Sequence, residues 1–247
     1  MLVKSGERIP IARLLKFLEL GERLAHDCAK GQVLLAPGVK ERRFLMTQSK
    51  QEAYHALVFQ GAIAWLAPRQ LGDSPLLPAL NHYRRLLEDS LAAGDWYESL
   101  MGEQIILEGL GEALLKRLDD GLAKRQAPFG RLRRILLCQE EAHHGFGLRM
   151  LGQAIDEGRI SVEQLRKKAP YYLALTKEMV MSVGDLFDTI DEDVMAWAAG
   201  VDRYLPEWLT PAGFSAVSTQ PSAKEEAIRD QPLAFTTQHE NHLRAES

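Results

Sequence analysis

Apolar residues along most of this chain recur every three or four positions, the spacing that lines one side of an α-helix. In a first predicted helix, from about Pro10 to Lys30 with Gly31 as its stop, Leu15, Leu18, Ala25 and Ala29 share a face. A loop at Ala36-Pro37-Gly38 leads to a second helix, roughly Glu41 to Ala67, closed by Pro68 and among the most apolar of the chain. After the turn Leu71-Gly72-Asp73-Ser74-Pro75 an auxiliary helix is predicted through Leu91. Gly94-Asp95 then breaks and recaps the chain ahead of a third long helix, about Trp96 to Leu118. The connection at Asp119-Asp120-Gly121 precedes a fourth, about Pro128 to Ile155. Ser161 and Gln164 are spaced as a capping box for further helices that extend to about Trp208, one starting near Pro170 and another near Asp191.

Strand-forming Val, Ile and Thr are sparse beside Leu, Ala, Glu and Arg, so the expected class is all-α: a four-helix bundle with auxiliary and carboxy-terminal helices. From Thr210 the composition turns to Ser, Thr, Pro, Gln and Glu, which predicts a helical domain over 1–209 and a polar tail over 210–247.

Composition narrows the classes of function. With 247 residues, 46% of them hydrophobic, the chain can bury a large core, and its net charge of −4 comes without a basic stripe, which argues against nucleic acid as a partner. No apolar run approaches the ~20 residues of a membrane span, and the amino terminus does not read as a secretion signal. Two cysteines, Cys28 and Cys138, both on predicted amphipathic helices, suit reduced, buried thiols and a cytoplasmic protein. They also exclude a four-cysteine iron or zinc site.

Two stretches carry chemistry: Gln51-Glu52-Ala53-Tyr54-His55 in the second helix and Glu140-Glu141-Ala142-His143-His144-Gly145-Phe146-Gly147 in the fourth. Residues three apart on a helix lie on one side, so a Glu and a His at that spacing can hold one metal ion together. With seven histidines in the chain, roughly half a Glu-x-x-His is expected by chance. Two of them in alternate long helices, with glutamates on the apolar faces of the other two, is a far rarer pattern. Dinuclear carboxylate sites in helical bundles take one Glu from each of two helices and a Glu-x-x-His from each of the other two. In the first helix Glu22 shares the apolar face, whereas Glu19 lies at its border; in the third, Glu108 follows Ile105-Ile106-Leu107, with Glu112 a turn further as the alternative.

The stretch from Glu140 to Gly147, with Ile105-Ile106-Leu107-Glu108, resembles the ligand helices of the ferritin-like di-iron carboxylate proteins, among them aldehyde-deformylating oxygenases and ribonucleotide reductase small subunits. That resemblance spans about residues 8 to 155. It implies Glu141/His144 as the second ligand pair rather than the overlapping Glu140/His143, with Glu140 outside the ligand set and accepting a hydrogen bond from His55. The expected metal ligands are therefore Glu22, Glu52, His55, Glu108, Glu141 and His144. They would hold two iron ions, or manganese and iron.

The implied function is O2-dependent oxidation of a small organic substrate with electrons from an external donor, Glu141 and Glu108 being the carboxylates that change binding mode. A homodimer through the outer helix faces is expected by the same resemblance. The alternative is ferroxidation, iron storage or peroxide removal, from which the helices added to the basic four argue away. Five glycines in the third and fourth helices, Gly102, Gly109, Gly111, Gly145 and Gly147, imply either close helix packing or space beside the metals. Tyr54 is a rim or core residue, or a relay for an electron.

Overall fold

The computed structural model describes residues 5–67, 71, 76–124, 126, 130–184, 187, 193–200 and 205–209. These residues are helical almost throughout and contain no strand. In order, they form α1 (Arg8–Gln32), α2 (Val39–Leu66), α3 (Leu77–Ala92), α4 (Trp96–Leu100), a π-helical segment (Met101–Leu107), α5 (Glu108–Lys124), α6 (Gly130–Asp156), α7 (Val162–Ser182) and α8 (Val194–Gly200). The predicted tail, 210–247, lies outside the described residues, as do Pro68, Pro128 and Asp191.

Side-chain pairings fix the direction of each long helix. Arg8 at the start of α1 donates to the carbonyls of Leu66 and Trp65 at the end of α2, and His26 meets Ser49, so α1 and α2 form an antiparallel hairpin. His55 meets Gln139 and Gln51 meets His143, which sets α6 antiparallel to α2. His144 meets Glu112, and Arg133 meets Asp119, which sets α5 antiparallel to α6. Gln32 at the end of α1 reaches Ser99 and Gln104, while residues between Phe17 and Ala25 line a cleft with residues between Leu107 and Gly111, which sets the third long helix antiparallel to α1. The four therefore close a ring in the order α1, α2, α6, α5, and the diagonal helices α2 and α5 run parallel. Two parallel elements need a long return, and the connection carrying α3 supplies it.

The interior is built from the periodic positions: Leu15, Leu18 and Leu24 of α1, Leu45 and Phe59 of α2, Ile105, Ile106 and Leu110 of the third helix and Leu151 of α6 are all buried. α7 is fixed at its start by the predicted capping box, Ser161 accepting from the backbone of Gln164 and Gln164 from that of Ser161. It packs on α3 and on the π-helical segment, where Tyr172 meets Tyr83 edge to face at 5.1 Å. Asp95 caps α4 through the backbone N–H of Glu98, and Gly94 at φ +69° makes the break before it, as predicted.

Two expectations are corrected. Asp119, Asp120 and Gly121 do not form the connection but continue α5 to Lys124, since an Asp pair and one Gly cost too little to end a helix whose other side is packed. Pro170 does not start a helix but lies inside α7. Among the described residues no helix is long and apolar enough to cross a membrane.

Candidate metal centre

On α1 the inward positions include Leu15, Leu18, Glu22, Ala25 and Ala29; on α2 they are Leu45, Gln48, Glu52, His55 and Phe59; on α6, Leu136, Glu140, His143, Gly147, Leu151 and Ala154. Each set follows the three-four spacing, so Glu and His are carried to the bundle axis by the same periodicity that buries Leu. The third helix departs from that rule. Over Met101–Leu107 its hydrogen bonds run five residues back, and the N–H of Glu108 donates to the carbonyl of Glu103. In an α-helix, residues five apart sit about 140° apart around the axis. In a π-helix they stack. Glu103 and Glu108 consequently face the same interior, where the side-chain amide of Gln48 donates to both, at 3.2 and 2.8 Å.

Two groups of side chains converge. Glu22, Glu52, His55 and Glu140 each offer a ligand atom within 4.8 Å of the others, and so do Glu52, Glu108, Glu140 and His143. Glu52 and Glu140 belong to both groups, while Glu22 with His55 and Glu108 with His143 stand at opposite ends. Each group could hold a metal ion, and the two groups have two carboxylates in common. His55 Nδ1 lies 3.2 Å from Glu22, 3.1 Å from Glu52 and 2.9 Å from Glu140; His143 Nδ1 lies 2.7 Å from Glu52 and 3.8 Å from Glu108.

These distances are short, yet both oxygens of Glu52, Oε1 of Glu140 and Nδ1 of His143 are buried without a hydrogen-bond partner, because their directions miss one another. Orphaned buried acceptors are costly. Lone pairs that converge without bonding one another are what a cation between them would satisfy, and the donors, carboxylate oxygen and imidazole nitrogen, suit divalent first-row ions.

Electrostatics agree. Burial pushes the Glu22 carboxyl well above the usual carboxylate range and Glu140 adds to it, against the pull of His55. Burial, then the carboxylates of Glu52 and Glu140, do the same to Glu108; burial also raises Glu103. Burial opposes charge on Glu52 too, but His143 and His55 outweigh it and hold that carboxyl well below its usual range. His55, despite its burial, is held protonated far above the usual imidazole range by Glu140, Glu22 and Glu52. With no ion, protons balance the cluster's charge; divalent ions would displace them.

Compared with family models and with curated proteins, the chain matches none.

The structure brings Glu22, Glu52, His55 and Glu108 together, and it does not bring the expected second pair, Glu141 and His144, to them. Glu141 points outward, with 43% of its side chain exposed, towards Lys116 at 3.5 Å. His144 turns to Glu112, 3.0 Å away, and Glu112 also pairs with Lys116, so neither Glu112 nor His144 joins the cluster. Their places are taken by Glu140 and His143. Glu140 thus belongs to both groups; it lies beside His55 as expected, 2.9 Å from Nδ1, while Gln139 takes the ring's other nitrogen, Nε2, at 2.7 Å.

A signal for this register stands in the sequence: Gln51-Glu52-x-x-His55 repeats as Gln139-Glu140-x-x-His143. Glu103 had no such signal, because a 3.6-residue period sends it away from Glu108. Cys28 is buried as expected, but Cys138 is exposed, and Tyr54, 53% exposed, lies away from the cluster.

A narrow cleft with a cavity volume of about 30 Å³, room for little more than one water, opens between α1 and α5 beside Glu22, Glu108 and Glu140. Its other walls are Phe17, Leu18, Gly21, Ala25, Leu107, Leu110 and Gly111. The glycines divide in role. Gly111 lines the cleft, whereas at Gly147 a Cβ would come within 2.6 Å of Gln104 Cβ, and at Gly102 within 2.7 Å of the Tyr172 ring. These last two serve close packing around the π-helical segment.

Proposed function

We propose that this chain is a ferritin-like di-metal protein that holds two iron ions, or a manganese–iron pair, and oxidises a small organic substrate with O2 and electrons from an external donor. The observation that carries this reading is the convergence of Glu22, Glu52, His55, Glu108, Glu140 and His143 with unsatisfied donor atoms directed between them. The ring order of the four helices, with one long return between the second and third, is the connectivity of the ferritin-like class. Two histidines and four carboxylates match its ligand complement.

Bound iron supplies the reduction of O2, and the protein supplies position and dryness. Glu22 and His55 would hold one ion and Glu108 and His143 the other, with Glu52 and Glu140 within reach of both. Glu108, oriented by the side-chain amide of Gln48, and Glu140, in the role first expected of Glu141, would be the carboxylates that adjust to the charge of the bound ions. Glu108 and Glu140 both line the narrow cleft, whose largely apolar walls limit water and would have to part to admit a substrate.

Anaerobic Fe(II) reconstitution, metal analysis and an O2 pulse followed optically test the proposal. Two ions per chain and an O2-dependent absorbance change are expected, both lost in Glu52→Ala. Substoichiometric iron that is unchanged by Glu52→Ala or His143→Ala would sink the dinuclear site. A large ferric core inside a shell-like oligomer would move the reading to iron storage.

A further inference from the structure

The cluster's two histidines are held from behind by neutral side chains arranged crosswise. Gln51, on α2, accepts from Nε2 of His143 on α6 at 2.9 Å, and Gln139, on α6, accepts from Nε2 of His55 on α2 at 2.7 Å. Each glutamine directly precedes the shared glutamate of its own helix, so the motif Gln-Glu-x-x-His contributes to both halves of the centre: its His to one half, its Glu to both, and its Gln to the opposite histidine.

Two consequences follow from elementary chemistry. A neutral ring, as a metal ligand must be, whose Nε2–H is donated to an amide oxygen presents its other nitrogen, Nδ1, with a free lone pair, and Nδ1 is the atom that faces the carboxylates in both histidines. An amide also carries no charge. A carboxylate in the same place would draw the ring proton towards itself and add a negative charge behind each imidazole, making it a stronger donor. With amides, the four clustered carboxylates balance two divalent ions; oxidation of both to trivalent ions exceeds that charge by two, and Glu103 beside Glu108 can offset only one of these in a buried site.

We infer that Gln51 and Gln139 are crossed positioning residues that present both histidines to the metals as neutral Nδ1 ligands and, by their own neutrality, bias the occupied centre towards its divalent state. This inference rests on the di-metal reading and deepens it: the outer amides set the oxidation state the site prefers.

The test uses the full chain loaded with Fe(II), comparing the native protein with Gln139→Glu, Gln51→Glu, the double Glu variant and Gln139→Leu. Iron content and the Fe(III)/Fe(II) midpoint potential, by spectroelectrochemistry, are the readouts. Each single Glu variant should keep both ions and shift the Fe(III)/Fe(II) equilibrium at least tenfold towards Fe(III), about 59 mV lower for a one-electron step. The double variant should shift further. Gln139→Leu, which removes the acceptor, should weaken iron binding roughly 10- to 100-fold with an unchanged helical spectrum.

Glu variants that hold two ions at the native potential overturn the inference, as does a well-folded Glu variant that has lost its iron, since the acceptor is still present. If the double variant does not fold, the singles and the Leu variant decide. Failure of the native protein to bind iron is a different result and removes the di-metal reading itself.

Discussion

The register of α6 can be tested by replacing either of two adjacent histidines. His143 is 1% exposed and directs Nδ1 at Glu52 and Glu108; His144 keeps 12% of its side chain exposed and bonds Glu112. An ion that binds only the folded chain stabilises it by RT ln(1 + [L]/Kd), about 2.7 kcal/mol at a hundredfold excess over Kd. Two ions together therefore give about 5 kcal/mol. At 2–4 °C per kcal/mol for a domain of roughly this size, saturating Fe(II) should raise the native Tm by about 10–20 °C. His143→Ala removes the only imidazole of one group, and because Glu52 and Glu140 belong to both groups the second ion also loses support; the metal-dependent rise should fall to half or less. His144→Ala should lower the metal-free Tm slightly, by the ~1 kcal/mol of one hydrogen bond, and leave the rise intact. Anaerobic thermal unfolding with and without Fe(II), read by circular dichroism, measures both. The reasoning is refuted if His144→Ala abolishes the rise while His143→Ala preserves it.

Without metal, stability should fall between pH 5 and pH 8. Glu22 and Glu108 have folded-state pKa values raised above the ordinary 4.5, and His55 above 6.5, so the folded chain keeps protons that the unfolded chain releases as pH rises. Glu52, whose pKa is depressed, contributes a constant amount above 4.5. The expected slope is roughly 1.4 kcal/mol per pH unit for each extra proton retained. A metal-free Tm that is flat or rises over this range contradicts the assignment. Glu108→Gln keeps an acceptor for Gln48 and is neutral without taking up a proton, so it should stabilise the metal-free protein at pH 8 by about 1–2 kcal/mol while cutting bound metal; a destabilised variant with full metal content would refute this. Gly147→Ala, meeting Gln104 Cβ at 2.6 Å, should cost about 1–3 kcal/mol in urea unfolding. Gly152→Ala, with open space on the same helix, should gain about 0.5–1 kcal/mol. Equal effects would show that the close approach of α6 to the π-helical segment is not what Gly147 serves.

The sequence by itself determined that the chain is helical, where its long helices run to within a few residues, and that Glu22, Glu52, His55 and Glu108 face inward. Those features are written in local periodicity, where a polar residue on an apolar stripe shares its neighbours' burial. Tertiary structure decided the rest. On α6 the positions around Glu140 and His143 align with Leu136, Leu151 and Ala154, while those around Glu141 and His144 align with Leu137, Leu148 and Ile155. Both stripes are apolar, and they differ by one residue, a rotation of about 100°. Only packing against α2 and α5, with Gly147 seated on Gln104, selects the first; the family resemblance favoured the second. Glu103 was hidden for a related reason. Its position beside Glu108 depends on hydrogen bonds that reach five residues back, and that local change of winding is held by the contacts of the whole bundle, which no short-range pattern encodes.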